Sequence, residues 1–328
     1  MGSAMGCEVE DGLAKCEFGE SSFSSTWQWQ SSALGLQIST HSLCKCGRLW
    51  EAMDKVLQQY PITVPFTAAA AAAATLYAAY SYFSSTSSGL TPDPQDLTVL
   101  SAEKVTHNVV RLSLALPSPT GVTGLSLGQH VGVHVETPGG PQSRSYTPIT
   151  PLSTPGVFDL LVKIYPSGVV SPVLGALQAG DTLAVSGPRG SWEYPADDVV
   201  HLVLLAGGSG ITPVFQLLAE LLDASRPERI TLVYANSTPG DVILYEKILH
   251  LAQTYPEKID LHLYVSRDDQ GSWEHNVGRL DDVVLAEILP DPSQEGTFVA
   301  YCGPKGLNKV FRKALKDQGF ARSQIHGF

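Results

Sequence analysis

Dense runs of lysine and arginine are missing from this chain of 328 residues, whose formal net charge is −11. Phosphate backbones bind where cations cluster, so nucleic acid is excluded as a partner, and an acidic surface suits cationic protein partners instead. Cysteine is scarce too. Of the five, Cys7, Cys16, Cys44 and Cys46 fall in the first 46 residues and Cys302 stands alone in the rest. That spacing is no disulfide framework and points to a reducing compartment or to thiols without a structural role. Cys44 and Cys46 make a C-x-C pair, yet no second pair or histidine cluster joins them, so free thiols or sites of lipid attachment are the plainer reading. His130 and His134 share one strand face without a carboxylate or cysteine beside them, and no metal site is expected. The C-x4-C-x2-C spacing of an iron–sulfur protein is absent, as is any setting for Ser, His and Asp to act together. What the chain does have is apolar material: 43% hydrophobic residues against 16% charged, the balance of a folded protein.

Four stretches differ in character. Residues 1–61 are rich in Ser and Gln and carry no sustained apolar period. The stretch 62–83, with Ile62 at one end and Phe83 at the other, is uncharged and contains the alanine run 68–74. About 20 uncharged residues is the length at which a helix crosses a bilayer. A soluble Ala-rich helix is the alternative, but such a helix normally carries a charged face, so a single membrane anchor is expected here. Lys45, Arg48 and Lys55 precede the stretch, and no Lys or Arg follows until Lys104. By the positive-inside rule the large domain then lies across the membrane from the N-terminal side. This suits a mitochondrial membrane with the domain facing the intermembrane space. The endoplasmic reticulum with a cytosolic domain is the alternative. Acidic residues in the first twenty (Glu8, Glu10, Asp11, Glu17, Glu20) argue against a simple transit peptide.

Beyond a Ser/Thr/Pro linker at 84–94 the pattern changes. Val109-Val110-Arg111-Leu112-Ser113-Leu114 and His130-Val131-Gly132-Val133-His134-Val135 alternate in the manner of half-buried strands. Gly and Pro turns between such runs predict an antiparallel barrel over about residues 95–195, inside a domain spanning 92–197. From 198 to 328 strands and helices alternate. Strands are predicted at 200–206, 230–235, 260–265 and 297–302, with helices after Pro213, around 245–254 and after Pro304. That is a parallel α/β domain, which makes the fold class α/β with two domains.

Chemistry concentrates in a few motifs. Leu204-Leu205-Ala206-Gly207-Gly208-Ser209-Gly210-Ile211-Thr212-Pro213 runs an apolar strand into glycines, with Thr212 as the expected N-cap and Pro213 at the first helical position. Glycines let backbone approach a pyrophosphate, and a helix N-terminus offers it free N–H groups. Such a turn can also do no more than close a βα unit. Pro213 stands where the third glycine of G-x-G-x-x-G would be, which disfavours an ordinary Rossmann dehydrogenase. In Arg144-Ser145-Tyr146-Thr147-Pro148 an arginine able to grip phosphate bidentately shares a strand face with a tyrosine two residues on. The phenol can lie against a flat ring while Arg144 holds a phosphate tail; an ordinary exposed strand pair is the alternative. Gly168-Val169-Val170-Ser171 then precedes a short apolar helix, with Ser171 expected as an anion-binding N-cap, and Gly180-Asp181 follows.

The order of the pieces is more specific than any one of them. R-x-Y-T, G-x-x-S, a G-D-x-[LIV]-x-[LIV]-x-G-P strand from Gly180 to Pro188, G-G-x-G-I-T-P, and Cys302-Gly303-Pro304 occur in one series. That series resembles the ferredoxin–NADP reductase superfamily, and most closely the NADH–cytochrome b5 reductases, over residues 92–328. Val162-Lys163-Ile164-Tyr165, Gly128-Gln129-His130, Ala235-Asn236-Ser237-Thr238 with Asp241, and the terminal Phe328 fit the same pattern.

The resemblance implies an FAD-dependent reductase that takes hydride from NADH, with NADPH the alternative, and gives single electrons to a haem protein such as cytochrome b5. It implies that Arg144, Tyr146 and Thr147 hold the FAD phosphate and isoalloxazine, with Thr147 near the reactive flavin nitrogen. Val162, Lys163 and Tyr165 would line the approach of flavin and nicotinamide, and Gly168, Val170 and Ser171 would bind the FAD pyrophosphate. Thr212 would touch the flavin from the other domain. Gly207, Gly208 and Gly210 would admit the nicotinamide cofactor's pyrophosphate. Cys302, followed by Gly303 and Pro304, would sit beside the nicotinamide, and Phe328 would join the cofactor-binding set. Thr147, Lys163 and Cys302 carry the catalytic expectation.

Two departures from the family matter. Cytochrome b5 reductases tend to carry an acid at the position of Ser266, and Ser266-Arg267 resembles the 2′-phosphate-binding pair of NADPH-using relatives, while Asp268 and Asp269 would oppose a phosphate. Residues 84–328 hold 17 Lys plus Arg against 25 Asp plus Glu, a net of −8, which steers unfavourably toward an acidic acceptor. A quinone or ferric chelate is therefore an alternative acceptor, and a reductase-like subunit of a larger membrane complex an alternative role.

Overall fold

A computed structural model describes residues 89–328, apart from 223, 225 and 226, and the backbone of four short strands near the N-terminus. Those strands, β1 (Gly6–Glu10), β2 (Leu13–Glu17), β3 (Ser25–Gln30) and β4 (Gln37–Ile38), pair antiparallel in the order β1-β2-β3-β4. The uncharged stretch 62–83 and the pair Cys44 and Cys46 lie outside the described residues. Among the described residues no helix is long and apolar enough to cross a membrane.

The first half of the larger unit is a six-stranded antiparallel sheet. Its strands are β5 (Gln95–Thr106), β6 (Val109–Ala115), β7 (His130–Val135), β8 (Gln142–Tyr146), β9 (Val157–Lys163) and β10 (Thr182–Arg189), in the order β8-β7-β10-β5-β6-β9. Alternation along each strand sends one set of side chains inward. Val99, Leu112, Val133, Phe158, Val162 and Val185, from five of the strands, meet in one cluster. A flat sheet cannot gather residues from five strands at one point, so the sheet curls around them. Strands β8 and β9 are its two edges. The short helix α1 (Ser171–Gly175) adds Leu174 to the same cluster.

The second half is a parallel sheet. β11 (His201–Gly207), β12 (Arg229–Asn236), β13 (Ile259–Val265), β14 (Asn276–Val277), β15 (Thr297–Cys302) and β16 (Ile325–Gly327) lie in the order β14-β13-β12-β11-β15-β16. All seven residues of β11 are buried, as expected of a strand covered on both faces. α2 (Ile211–Leu221) and α3 (Tyr245–Thr254) pack on one face, and α4 (Asp282–Ile288) and α5 (Lys305–Asp317) on the other. Val109, Ile149 and Leu161 of the first half join Ile211, Val214 and Phe215 in a single core cluster. The two halves therefore share apolar contact as well as chain.

Two local expectations are corrected. α2 begins at Ile211, preceded by a 3-10 turn over Gly208–Gly210, so Gly210 is the N-cap and Pro213 the third helical residue. A proline is tolerated there because the first N–H groups of a helix lack intrahelical partners in any case. Thr212 instead lies inside the helix and donates to the Ser209 carbonyl at 3.3 Å. In α1 the cap position is Val170 and no side chain caps it. The Ser171 hydroxyl accepts the Tyr165 N–H at 3.0 Å, which makes it a brace for Tyr165 rather than an N-cap.

Candidate functional site

Strand order reverses between β11 and β15: chain order runs outward to β14 on one side and to β16 on the other. Ligands of open parallel sheets bind in the crevice beyond the strand C-termini at such a point. Here that crevice is where the glycine turn meets Cys302-Gly303-Pro304. A Cβ added to Gly210 would stand 2.3 Å from the Cys302 carbonyl oxygen, and one added to Gly207 would stand 2.4 Å from Leu307 and 3.1 Å from the Pro304 ring. At Gly210 backbone packs on backbone, and only glycine permits it. Gly208 differs. Its φ is +52°, and nothing lies within 4 Å of where its Cβ would be. Its carbonyl is fixed by the buried Tyr234 hydroxyl at 3.1 Å. Bare backbone where the glycine turn enters α2, whose Ile211 N–H bonds back to the Gly208 carbonyl, makes a cradle into which a pyrophosphate fits. Burial pushes the Cys302 thiol up to about 11, the Gly303 N–H offsetting only part of the effect. At neutral pH it presents an uncharged, polarizable sulfur.

The first half supplies the complementary surface. Arg144 is exposed on edge strand β8, opposite Val133. Its Nη1 donates to the neighbouring Ser143 carbonyl at 2.7 Å, and no carboxylate pairs with it among the described residues. Tyr146, two residues on, is half-buried against the core of the curled sheet. Burial, opposed by Arg144 and reinforced by Tyr165, pushes its phenol up to about 12. Thr147 follows, buried at the end of β8. Tyr165 and Val169, 46% and 54% exposed, present large apolar side chains to solvent from one turn. The Gly168 N–H closes that turn on the Tyr165 carbonyl at 2.8 Å, and a Cβ on Gly168 would stand 2.8 Å from the Ser171 hydroxyl. An unpaired arginine, two tyrosines near enough to influence each other, and exposed apolar surface fit a flavin with its phosphate tail. Val162 and Val170 have their side chains in the core cluster. They leave only backbone to a ligand.

Contacts across the halves complete the site. The Tyr165 hydroxyl lies 3.5 Å from the Ser209 hydroxyl in the glycine turn. Lys163 Nζ pairs with Asp241 at 2.9 Å, so its ammonium already has a carboxylate partner. Gln216 of α2 accepts the Gly128 N–H at 2.9 Å, and Glu220 accepts the Leu152 N–H at 2.8 Å. Phe328 packs edge-on against Trp192, with ring centroids 5.6 Å apart, and His326 stacks on the same indole at 3.9 Å. At the far end of the crevice Ser266 and Arg267 are both exposed, and their amides donate to Asn236 and Ser237 at 3.0 and 3.1 Å. Asp268 folds its own loop, accepting the N–H groups of Gln270 and Trp273 at 3.2 and 2.7 Å. No group of His, Cys, Asp and Glu suited to a metal ion occurs among the described residues.

Ser209, Tyr234, Gln216 and Asn108, whose Nδ2 donates to Asp241 at 3.3 Å, were not singled out by sequence. For Gln216 a signal existed: it is the one amide in the stretch Pro213–Leu218, otherwise apolar, that folds as buried helix. Ser209 fills the variable position of the glycine motif, and Tyr234 and Asn108 sit at positions that no motif marks.

A family model for an oxidoreductase FAD-binding domain matches residues 96–194, and one for an oxidoreductase NAD-binding domain matches residues 204–313. The chain is thus an oxidoreductase that uses FAD and a nicotinamide cofactor. It is 34% identical over 229 residues to NADH-cytochrome b5 reductase 1 of Aspergillus fumigatus, covering 67% of this chain and 73% of that protein. The structure is similar to the cytochrome b5 reductase domain of Ulva prolifera nitrate reductase, with TM-score 0.66, 29% identity, and coverage of 73% of this chain and 99% of that one. It is similar also to the CS-b5R domains of human Ncb5or in the NAD+ form, with TM-score 0.64, 27% identity, and coverage of 74% and 70%. The chain belongs to the NADH–cytochrome b5 reductase family.

Proposed function

We propose that this protein carries electrons from NADH through FAD to cytochrome b5 while held at a membrane by residues 62–83. The observation that carries the reading is the convergence, across one crevice, of Arg144, Tyr146 and Tyr165 with the Gly207–Gly210 turn and Cys302. Bound FAD supplies a carrier that takes electrons in pairs and releases them singly. The chain's own residues do the rest. Arg144 anchors the phosphate tail by charge-assisted hydrogen bonds. Tyr146 and Tyr165 give flat apolar surface to the ring and keep water from it. The glycine turn and the start of α2 hold the pyrophosphate of the nicotinamide cofactor, and the neutral Cys302 thiol lets the nicotinamide ring approach without a competing charge.

The names of the relatives support NADH as donor and cytochrome b5 as acceptor. A second donor reading rests on Ser266 and Arg267, whose exposure just past the end of β13 suits a 2′-phosphate. The purified protein should be yellow and should bleach under NADH without oxygen. Its kcat/KM, measured in competition, should favour NADH over NADPH, and reduction of cytochrome b5 should outpace that of quinones and ferric chelates. Absence of bleaching removes the flavin reading, while a strong NADPH preference reverses the donor. A mitochondrial membrane is proposed as the location, with the domain facing the intermembrane space. Protease added to intact organelles should spare the domain until the outer membrane is opened; cleavage without opening places it in the cytosol.

A further inference from the structure

Among the described residues, one ion pair shielded from water joins the two halves of the larger unit. Lys163 ends β9 in the first half, and Asp241 sits in the turn after β12 in the second; their charged atoms are 2.9 Å apart, with side chains 15% and 11% exposed. The same carboxylate accepts Asn108 Nδ2 at 3.3 Å from the first half and Thr238 Oγ1 at 2.8 Å from its own turn. His107, largely exposed, lies 3.8 Å away. Asn108 and Lys163 are themselves linked, because the Ile164 N–H donates to the Asn108 carbonyl at 2.7 Å. Thr238 fixes Asp241 to one half, then, while Asn108 and Lys163 grip it as a unit from the other. Two residues beyond Lys163 comes Tyr165, whose hydroxyl faces Ser209 of the glycine turn.

We propose that Asp241 is a positioning residue for electron transfer: acting through Lys163 and Asn108, it sets the alignment of the flavin-holding half against the nicotinamide-holding turn. The inference rests on the reading that NADH reduces FAD in this crevice. Burial alone would raise the Asp241 carboxyl. The hydrogen bonds from Lys163 and Thr238, the Lys163 charge and the Asn108 bond overcome that and hold it down at about 2, so the grip is charged at every working pH. A displacement of about 1 Å between reacting groups slows a reaction by about 100-fold, and β9 carries both the gripping lysine and the approach to Tyr165.

The test is anaerobic stopped-flow reduction of the holoenzyme flavin by NADH in Asp241→Asn, Lys163→Met and the double variant. Asp241→Asn should slow flavin reduction at saturating NADH by about 100-fold, with FAD content unchanged. Asp241→Glu, which keeps the charge, should recover part of the rate. The double variant should be no slower than Lys163→Met alone, because residues that act through each other give non-additive effects. Independently of activity, the Ile164 amide should exchange hydrogen faster in Asp241→Asn. If Asp241→Asn fails to fold, Asn108→Ala removes a neutral part of the same grip and should slow the flavin step several-fold. Full-speed reduction in the variant that folds, or additive effects in the double variant, overturns the proposal. A wild-type protein that NADH does not bleach overturns instead the reading on which it rests.

Discussion

Gly210→Ala should slow flavin reduction by NADH at least about 100-fold while leaving FAD bound. The added methyl would stand 2.3 Å from the Cys302 carbonyl oxygen, 2.5 Å from its carbon and 2.7 Å from the Gly303 nitrogen. All three are backbone atoms, so no flexible side chain can swing away. Relief requires that the turn lift from β15 or that the end of β15 retreat, and each displaces the edges of the nicotinamide crevice. Misplacement by about 1 Å is worth about 100-fold in rate, and overpacking a tight contact adds about 1–3 kcal/mol of destabilisation. The φ of Gly210 is an ordinary −64°, so backbone strain does not contribute. Gly306→Ala is the control: in the first turn of α5 its methyl meets nothing within 4 Å, and alanine in a helix is favoured over glycine by about 1 kcal/mol. Stopped-flow rates, with flavin absorbance as a measure of bound FAD, decide the matter. A Gly210→Ala protein that reduces its flavin at the normal rate would show that the contact can relax without moving the crevice.

The sequence made the order of motifs visible because each is a local pattern: glycines at a strand end, an arginine and a tyrosine two apart, a cysteine closing an apolar run. β11 and β15 were legible for the same reason, since almost fully buried parallel strands read as apolar runs bounded by turns. What escaped was set by tertiary contact. Thr212 has the chemistry of an N-cap, but the 3-10 turn over Gly208–Gly210 starts the helix before it. Ser171 also has cap chemistry, yet Tyr165 folds back and takes its hydroxyl. The short α4 was missed although Asp281 caps it, accepting the Val283 and Val284 N–H groups at 3.1 and 3.0 Å. Seven residues are too few for a helical period to stand out. Lys163 and Asp241 were each marked by the family pattern but not as partners, because 78 residues separate them and only the docking of the two halves brings them together.

Arg144→Leu should weaken FAD binding by about 100- to 10,000-fold and leave the fold almost untouched. The guanidinium sits exposed on an edge strand, and its hydrogen bond in the structure goes to the carbonyl of the preceding residue, Ser143. Removing it buries no orphaned group and breaks no ion pair, so the change in stability should stay within about 0.5 kcal/mol, the range of ordinary surface substitutions. Toward a phosphate the same group is worth far more. A hydrogen bond to a charged partner contributes about 1.5–3 kcal/mol, a planar fork makes two of them, and 1.4 kcal/mol is about a factor of ten in affinity. Arg144→Lys keeps the charge but loses the fork, so it should recover about half of the lost binding energy. Tyr146 shares the strand face and packs against the core through its ring. Tyr146→Ala should therefore lower stability as well as flavin affinity, which separates a residue that the fold needs from one that only the ligand needs. Titration of flavin-free protein with FAD, followed by fluorescence quenching beside thermal unfolding, reads both quantities on one sample. An Arg144→Leu protein that unfolds early and binds FAD normally would reverse the assignment, making Arg144 part of the scaffold and leaving the phosphate to another group.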